Sequence, residues 1–368
     1  MNNWNQISLF AGGEGFGQGF TEAGFNITKF YYSEIDKHAL ALLRYRFPAG
    51  HDLGSVTNVS VKPKGRTFVT FGWPCQDNSI AGKRAGHAPG TRSGLLSQAV
   101  RIVDEVRPEF FCAENVEGLR TVNKGTDIIE AIKYLAFLNE SLPQYDVEMQ
   151  LLNTRWFLPQ NRERLYFVGH LRNGSRKQVF PIGENDKWYE TESGVQRTRL
   201  GAVSRTIIAR YSNNSNYRTG TYILQVNQSK ESGGKQPYQQ NRVYDAAGIV
   251  PALAAQLGKG MAVAGTLRTM KDGQGFREIK GDFSPTLVAR ARQDGSGQPC
   301  IKQNELIRRL TPIECERLQG WPDNWTKYGI YNGQEKQISD SQRYRICGNG
   351  VSKPCVTAIA EKLLELYS

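Results

Sequence analysis

The first 171 residues alternate short β-prone runs with helical patterns, and this alternation restricts the possible folds more than any other feature of the chain. The β-prone runs are "QISLFAG", "ITKFYYS", "RTFVTFG", "EFFCAEN" and "RLYFVGHL". Helical patterns are found at residues 15–23, 36–46, 95–106 and 126–140. Strand–helix alternation of this kind predicts an α/β fold with a doubly wound, mainly parallel sheet.

Residues 172–305 have a different composition, rich in Gly, Ser, Asn, Gln and Arg, with only short β-prone pieces. Helical patterns return in "TPIECERLQG" and in "SKPCVTAIAEKLLELY". The apolar residues of the last helix fall on one face, which predicts that it docks on the first domain: Val356, Ile359, Ala360, Leu363, Leu364 and Tyr367. We therefore expect a first domain at 1–171, a smaller loop- and β-rich domain inserted at 172–305, and a C-terminal segment at 306–368 that returns to the first domain.

The net charge of +12 is concentrated in the middle of the chain. Residues 172–305 hold 20 Lys and Arg residues against 11 Asp and Glu residues. A basic segment of this kind indicates a polyanionic partner, nucleic acid first, although a merely basic surface is the alternative. The six cysteines are expected to be free thiols, because the N-terminus lacks the features of a secretion signal.

Two partner classes are not expected from the sequence. The chain has no run of eighteen apolar residues, so we expect no membrane partner. It has no Cys-x-x-Cys pair, and its four histidines are scattered, so we expect no metal site.

A glycine-rich turn, "LFAGGEGFGQGF", closes the first predicted strand. Such a turn lets a nucleotide approach backbone N–H groups at the carboxyl edge of the sheet, and its order is not the G-x-G-x-x-G of dinucleotide sites. Glu34 ends the second strand, where a carboxylate can hold both ribose hydroxyls, and Asp52 is placed to contact an adenine amino group. A nucleoside cofactor without a pyrophosphate fits best, which favours S-adenosylmethionine. Ordinary polarity at strand ends is the alternative for each carboxylate.

Reactive side chains follow the next strands. Cys75, in "GWPCQ", comes directly after a strand, and Glu114, in "AENVEGL", comes near the end of the following one. Arg162 and Arg164 alternate with Glu163, so they point the same way if the chain is extended. A thiolate is a strong nucleophile that gains from nearby cations, and these groups converge beside the predicted cofactor turn. A buried cysteine with a surface ion pair explains each motif separately but not all of them together.

The ordered motifs "LFAGGEG", "SEID", "GWPCQ", "AENV", "QNRERLY", "RRLTPIECERLQGWP" and "GNGV" resemble those of the DNA cytosine-5 methyltransferases of the compact bacterial or phage type. The resemblance extends from residue 8 to about residue 367. It implies a fold that binds S-adenosylmethionine, with the target-recognition domain of the family in the variable stretch between "QNRERLY" and "RRLTP". Ser8 and Gly350 depart from it, because the family usually has aspartate and serine at these positions.

The resemblance also implies the chemistry. Cys75 would attack carbon 6 of a cytosine flipped out of the duplex, which makes carbon 5 able to accept a methyl group. Glu114 would hydrogen-bond or protonate ring nitrogen 3. Arg164 would hold the carbonyl oxygen of the ring, and Arg162 would lie near the thiolate and the sugar-phosphate.

Further contacts are implied around these catalytic residues. Cofactor contacts are expected at the ends of the first strands and in the C-terminal segment: Phe10, Ala11, Gly12, Gly13, Gly15, Glu34, Ile35, Asp52, Leu53, Pro74, Leu95, Asn349 and Val351. DNA contacts are expected mainly in the loop after Cys75, with one in the inserted domain: Gln76, Ser79, Lys83, Arg84, Arg92 and Thr286. Double-stranded DNA is the expected partner of a monomeric enzyme in the cytoplasm, associated with the nucleoid. A cognate restriction endonuclease that acts on the same site is a further candidate partner.

Three other functions remain open at this point. A tRNA cytosine-5 methyltransferase could use the same scaffold, although the large basic insertion favours DNA. An enzyme resembling thymidylate synthase also attacks carbon 6 of a pyrimidine, but it needs neither the glycine turn nor the basic domain. A DNA-binding protein without activity would have no use for Cys75 and Glu114 together.

Overall fold

A computed structural model describes most of the chain. The described residues are 2–74, 94–120, 126–173, 178–182 and 306–368, with shorter pieces at 207–208, 262–267, 276–278, 284, 286–287 and 299–303. Within these ranges, no helix is long and apolar enough to cross a membrane.

The main sheet has eight strands in the order β3-β2-β1-β4-β5-β7-β6-β8. Their bounds are β1 Asn3–Leu9, β2 Asn26–Ser33, β3 His51–Asp52, β4 Thr67–Gly72, β5 Phe110–Val116, β6 Tyr145–Asn153, β7 Glu163–Leu171 and β8 Ile207–Ile208. The strands from β3 to β5 are parallel, whereas β7 lies antiparallel between β5 and β6. The predicted doubly wound, mainly parallel sheet is confirmed.

Seven α-helices are found in the described part of the chain. Their bounds are α1 Gly15–Glu22, α2 Lys37–Arg46, α3 Gly94–Val106, α4 Thr126–Phe137, α5 Pro312–Leu318, α6 Asp340–Asn349 and α7 Lys353–Tyr367. Helix α7 packs on α1 through a buried face that includes Val356, Ile359 and Leu363, as the spacing of its apolar residues predicts. The C-terminal helix therefore returns to the N-terminal domain.

Apolar side chains cover both faces of the sheet, because neighbouring residues of a strand point to opposite sides. Phe68 and Phe110 belong to the cluster with α1 and α7, whereas Val69 and Phe111, the next residues, belong to the cluster with α3 and α4. A parallel sheet buried on both faces needs such continuous apolar runs. The carboxyl ends of the strands are consequently the part of the sheet left open for a site.

Parts of the middle segment pack against the main sheet. Residues 178–182 lie along β6, where the backbone N–H groups of Val179 and Phe180 donate to the buried carboxylate of Glu148. A second sheet has the order β10-β9-β11-β12, with bounds β9 Ala262–Leu267, β10 Phe276–Glu278, β11 Pro299–Gln303 and β12 Leu306–Arg309. The limits of the inserted domain remain predictions.

Three elements were not predicted. Strand β6 carries Glu148 and Gln150 between its apolar residues, and both are buried because residues 178–182 satisfy their hydrogen bonds. Helix α6 is mostly polar, and the hairpin of β13 Tyr328–Tyr331 and β14 Gln334–Gln337 packs through β13 on α2. Each of these elements depends on partners elsewhere in the chain, which periodicity does not show.

Candidate active site

The candidate site lies at the carboxyl ends of β1, β4 and β5. Leu9 pairs with Phe71, and Phe71 pairs with Ala113, so these three strands end in one row. The strand order reverses between β1 and β4, and in open α/β sheets a ligand binds at this position. The predicted cofactor turn and the predicted catalytic residues are therefore on neighbouring strands.

The glycine-rich turn after β1 has an unusual backbone. Phe10, Gly12 and Glu14 have φ values of 53°, 55° and 57°, in the left-handed region that side chains disfavour. The Ala11 N–H donates to the carbonyl of Ser33, at 3.2 Å, which ties the turn to the end of β2. The turn thus has one defined shape, in which residues other than glycine accept strain.

Trp321 fixes this turn against the C-terminal segment. A Cβ atom added at Gly13 or at Gly350 would overlap the Trp321 indole ring. A Cβ atom at Gly15 would meet the backbone of Val351 and lie 3.3 Å from the indole nitrogen. The glycine at 350, where the family usually has serine, is therefore explained by the space that Trp321 takes.

The two predicted cofactor carboxylates are both hydrogen-bonded. Glu34 accepts from the N–H groups of Gly12 at 2.9 Å, Ile35 at 2.7 Å and Asp36 at 2.8 Å. Asp52 accepts from the Gly54 N–H and forms an exposed ion pair with Arg44, at 2.9 Å. Each carboxylate oxygen has more than one lone pair, so both groups can still accept from a ligand.

The apolar residues predicted to contact the cofactor differ in their exposure. Phe10, Leu53 and Leu95 are partly buried and pack on the cluster of α3 and α4, whereas Pro74 is exposed. Ile35 is 79% exposed, which is unusual for a large apolar side chain beside a cleft. The structure brings these four residues and Ile35 to the same edge of the sheet as the glycine turn.

Glu114 and Arg164 form the charged centre of the site. Arg164 Nε lies 3.0 Å from Glu114 Oε1, and both side chains are almost fully buried. Burial raises the pKa of Glu114, and the guanidinium groups of Arg164 and Arg162 act in the opposite direction. Gly72 pairs with Glu114 on the neighbouring strand, and a Cβ atom there would lie 3.4 Å from Glu114 Oε2. A raised pKa lets this carboxyl carry a proton closer to neutral pH than an exposed glutamate can.

Arg162 connects the charged centre to the C-terminal segment. Its Nη2 donates to the carbonyls of Gly350, at 2.7 Å, and Gly348, at 3.2 Å. Asn349, between these glycines, is exposed. Burial lowers the pKa of Arg162 to about 9, with Arg164 adding to the effect and Glu114 opposing it. Its Nε and Nη1 are buried without a hydrogen-bond partner among the described residues.

Cys75 and most predicted DNA contacts lie outside the described residues: Gln76, Ser79, Lys83, Arg84 and Arg92. The described chain reaches Trp73, whose carbonyl accepts from the Asn115 side chain at 3.2 Å, and Pro74, which directly precedes the cysteine. The strand that leads to Cys75 is thereby tied to the strand that carries Glu114.

Thr286, predicted as a DNA contact, has a structural contact in the described chain. Its hydroxyl donates to the carbonyl of Asn161 at 2.8 Å. Ser284 forms a short parallel bridge with Gln160, and Leu287 is buried in the cluster of Trp321. These contacts attach the middle segment to the loop that precedes Arg162.

Two residues at the site, Trp321 and Glu14, were missed by sequence reasoning. Trp321 lies in the motif "LQGWP", but its contact with the glycine turn joins segments about 300 residues apart in sequence. Glu14 lies within the glycine-rich turn itself, and its buried carboxyl accepts from Ser8 at 2.6 Å. The unusual serine at position 8 was the signal that could have indicated Glu14.

Comparisons with known proteins identify the family of this chain. The sequence profile of the family described as C-5 cytosine-specific DNA methylase matches residues 4–365. The Type II methyltransferase M1.ScrFI of Lactococcus lactis subsp. cremoris is 29% identical over 370 residues, covering 99% of this chain and 78% of the relative. The Type II methyltransferase M.NlaX of Neisseria lactamica is 29% identical over 360 residues, covering 97% of this chain and 95% of the relative.

A solved structure shows the same fold. A prophage-encoded chain from E. coli, described as a DNA modification methyltransferase, superposes with a TM-score of 0.52 and 21% identity, covering 99% of both chains. The fold and the site thus define an α/β methyltransferase. Because the family profile spans nearly the whole chain, this protein belongs to the C-5 cytosine-specific DNA methylases, which confirms the class that the ordered motifs predict.

Proposed function

We propose that this enzyme transfers a methyl group from S-adenosylmethionine to carbon 5 of a cytosine flipped out of duplex DNA, through a covalent bond between Cys75 and carbon 6. One observation carries the proposal. The glycine turn after β1 and the buried Glu114–Arg164 pair lie at the same edge of the sheet. Strand β4 lies between β1 and β5, and the chain that leaves β4 leads directly to Cys75. Since β4 separates β1 from β5, the two parts are about 10 Å apart, at roughly 4.8 Å per strand.

The residues around the glycine turn fit S-adenosylmethionine. The cofactor has ribose hydroxyls and an adenine amino group that donate hydrogen bonds, and Glu34 and Asp52 are acceptors. The exposed side chain of Ile35 offers an apolar face to the adenine ring, with Leu53 and Leu95 nearby on the core. When bound, S-adenosylmethionine supplies the methyl group on its sulfonium.

The residues of the chain supply the remaining chemistry. The Cys75 thiolate forms a bond to carbon 6, and Glu114 donates a hydrogen bond or its proton to nitrogen 3, so the electron pair does not accumulate as charge on the ring. Carbon 5 would then bond to the methyl group as the methyl–sulfur bond of the sulfonium breaks and leaves a neutral thioether. Carbon 5 next loses its proton to a base, and any proton on nitrogen 3 returns to Glu114. The bond from Cys75 to carbon 6 breaks as this electron pair restores the double bond.

The two arginines hold the cytosine in position. Arg164, which pairs with Glu114, would donate to the carbonyl oxygen of the base. Arg162 has two N–H groups without a hydrogen-bond partner in the described part of the chain, and we assign them to the thiolate or the sugar-phosphate. Fixed charges of this kind stabilise the developing negative charge without reorganisation during the reaction.

Recognition of the DNA is assigned to the basic middle segment and to the loop after Cys75. We infer that residues 172–305 are the target-recognition domain, because they hold 20 Lys and Arg residues against 11 Asp and Glu residues. Flipping the base costs a few kcal/mol, and phosphate contacts from Lys83, Arg84 and Arg92 can offset this cost. The type II relatives support a partner restriction endonuclease that acts on the same site.

A duplex that carries 5-fluorocytosine at the target tests the covalent step. Fluorine cannot leave carbon 5 as a proton does, so the Cys75 adduct should accumulate and survive denaturation. The adduct should form only with S-adenosylmethionine present, and a tRNA substrate should give none. The measurement is the mass of the denatured complex after incubation with each nucleic acid.

The matched control is a second cysteine. Cys112 lies on β5, is fully buried, and has a thiol pKa raised by burial, so it is a poor nucleophile. Cys112→Ala should form the adduct, whereas Cys75→Ala should not. An adduct of unchanged yield with Cys75→Ala would remove Cys75 from the mechanism.

A further inference from the structure

The carboxyl of Glu14 is buried beneath the glycine turn. Glu14 is the N-cap residue of α1 in a left-handed conformation, and its side chain is 1% exposed. Oε1 accepts from the Gly17 N–H and from Gln6 Nε2, both at 2.8 Å. Oε2 accepts from the Ser8 hydroxyl at 2.6 Å. The carboxyl therefore ties the start of α1 to strand β1.

The surroundings of the Glu14 carboxyl are built around it. A Cβ atom at residue 17 would lie 2.7 Å from Glu14 Oε1, so glycine at this position makes room for the carboxyl. Gln6 also donates to the Thr70 hydroxyl at 3.1 Å, which extends the network to β4. The network thus joins the two strands between which the strand order reverses.

Burying the Glu14 carboxyl costs free energy that an uncharged residue at this position would not cost. Among the described residues, Glu14 forms no ion pair, and the groups that face it from β1 and α1 are neutral: Gln6, Ser8 and the Gly17 N–H. A buried carboxyl without a countercharge is unfavourable in its ionised form. The left-handed backbone at a residue with a side chain adds strain. A role in fixing the turn accounts for both features.

We infer that Glu14 is a positioning residue of the cofactor site, whose carboxyl holds the glycine turn in the shape that the cofactor requires. This inference rests on the proposed function. Glu14 acts on the cofactor indirectly, through the neighbouring residues Gly12, Gly13 and Gly15 of the turn. Ser8, where the family usually has aspartate, leaves room for the one carboxyl that Glu14 supplies.

Cofactor binding by variants of Glu14 tests the inference. In Glu14→Ala the dissociation constant for S-adenosylmethionine, measured by calorimetry, should rise tenfold or more, with a parallel rise in KM. The kcat at saturating cofactor should stay within about threefold of the wild-type value. Glu14→Gln keeps one oxygen that can accept from the Gly17 N–H and Gln6, and its amide can donate to the Ser8 hydroxyl, so its affinity should remain near wild type.

The control is Glu22→Ala, at the other end of the same helix, where an ion pair with Lys353 and a hydrogen bond from the Thr357 hydroxyl are lost. It should bind the cofactor as the wild type does. Wild-type protein that fails to bind the cofactor would contradict the proposed function itself. Unchanged affinity in Glu14→Ala, or an equal loss in Glu14→Gln, would contradict only the positioning role.

Variants that move the carboxyl from residue 14 to residue 8 give an independent test. Ser8→Asp places a second carboxylate against Glu14, so cofactor affinity should fall, and more so at higher pH. Adding Glu14→Gly removes one carboxyl and the left-handed strain, so the double variant should bind more tightly than Ser8→Asp. A double variant that binds no better than Ser8→Asp contradicts the inference, because the defect would not come from the second carboxyl.

The pH dependence of stability gives a further readout. Burial raises the pKa of Glu14 to about 7, against the lowering effect of its three hydrogen bonds. In the unfolded chain this group ionises near pH 4.5, so the folded wild type loses stability as the pH rises from 4.5 to about 7. The Tm of Glu14→Gln relative to wild type should therefore rise by a few degrees between pH 5 and pH 8. A constant difference would show that the carboxyl does not titrate in the fold.

Discussion

The two sides of the proposed site, which we assign to the cofactor and to the base, are held by different forces. On the cofactor side, Trp321 fits between Gly13 and Gly350. Hydrogen bonds from uncharged donors hold the Glu14 carboxyl beneath the turn. On the base side, Glu114 and Arg164 form a buried ion pair on adjacent strands. Steric fit therefore governs the first region and charge governs the second. Substitutions should accordingly affect cofactor affinity on one side and the chemical step on the other.

Arg162 joins the two sides. Its guanidinium donates to the carbonyls of Gly348 and Gly350, which belong to the cofactor side, while its charge acts on Glu114. Burying this arginine is costly, because two of its nitrogens have no hydrogen-bond partner among the described residues. Substitutions at residues that belong to one side alone should therefore distinguish the two sides best.

The largest effect is expected at Glu114. Glu114→Gln keeps the hydrogen bond to nitrogen 3 but removes proton exchange, so the single-turnover rate should fall by about a hundredfold. Cofactor affinity, measured by calorimetry, should change by less than twofold, because the glycine turn is untouched. Glu117→Gln, a nearby glutamate whose side chain is more exposed, should keep the wild-type rate. An unaltered rate in Glu114→Gln would show that Glu114 takes no part in the chemical step.

An intermediate effect is expected at Gly350. Gly350→Ser introduces a Cβ atom where the indole of Trp321 lies, and overpacking of this kind costs about 1–3 kcal/mol. The variant should melt earlier and bind the cofactor less tightly, while its rate at saturating cofactor stays near wild type. Adding Trp321→Phe should recover part of the loss.

Gly118→Ser is the matched control, because within the described part of the chain a Cβ atom there would meet Val116 alone, at 3.8 Å. It should leave stability and cofactor affinity unchanged. If Gly350→Ser behaves like this control, the steric account of the cofactor side is wrong.

The smallest effect is expected at Ile35. Its side chain is 79% exposed, so Ile35→Ala should not alter the Tm. If the adenine covers this side chain, truncation should weaken cofactor binding by about 1.5 kcal/mol, or roughly tenfold. Leu142→Ala, at the other strongly exposed large apolar residue of the described chain, should bind the cofactor normally. Equal affinities for both variants would exclude Ile35 from the cofactor site.

Much of the fold follows from local sequence patterns. The runs that form β1, β2, β4, β5 and β7 are apolar and β-prone, and the face of α7 that packs on α1 is visible in the spacing of its apolar residues. Strand β6 was missed because Glu148 and Gln150 interrupt its pattern. Their burial depends on hydrogen bonds to residues 178–182, and no local pattern reports such a partner.

The sequence by itself determined the class of the protein and most residues of the proposed site, because a nucleophile, an acid and two cations stand at fixed places relative to strand ends. Only the tertiary structure decided how these parts are held. Trp321 meets Gly13, and Arg162 meets Gly350, across separations of more than 180 residues. Such contacts depend on shape and on the satisfaction of buried polar groups in three dimensions, which a one-dimensional pattern of residue types does not contain.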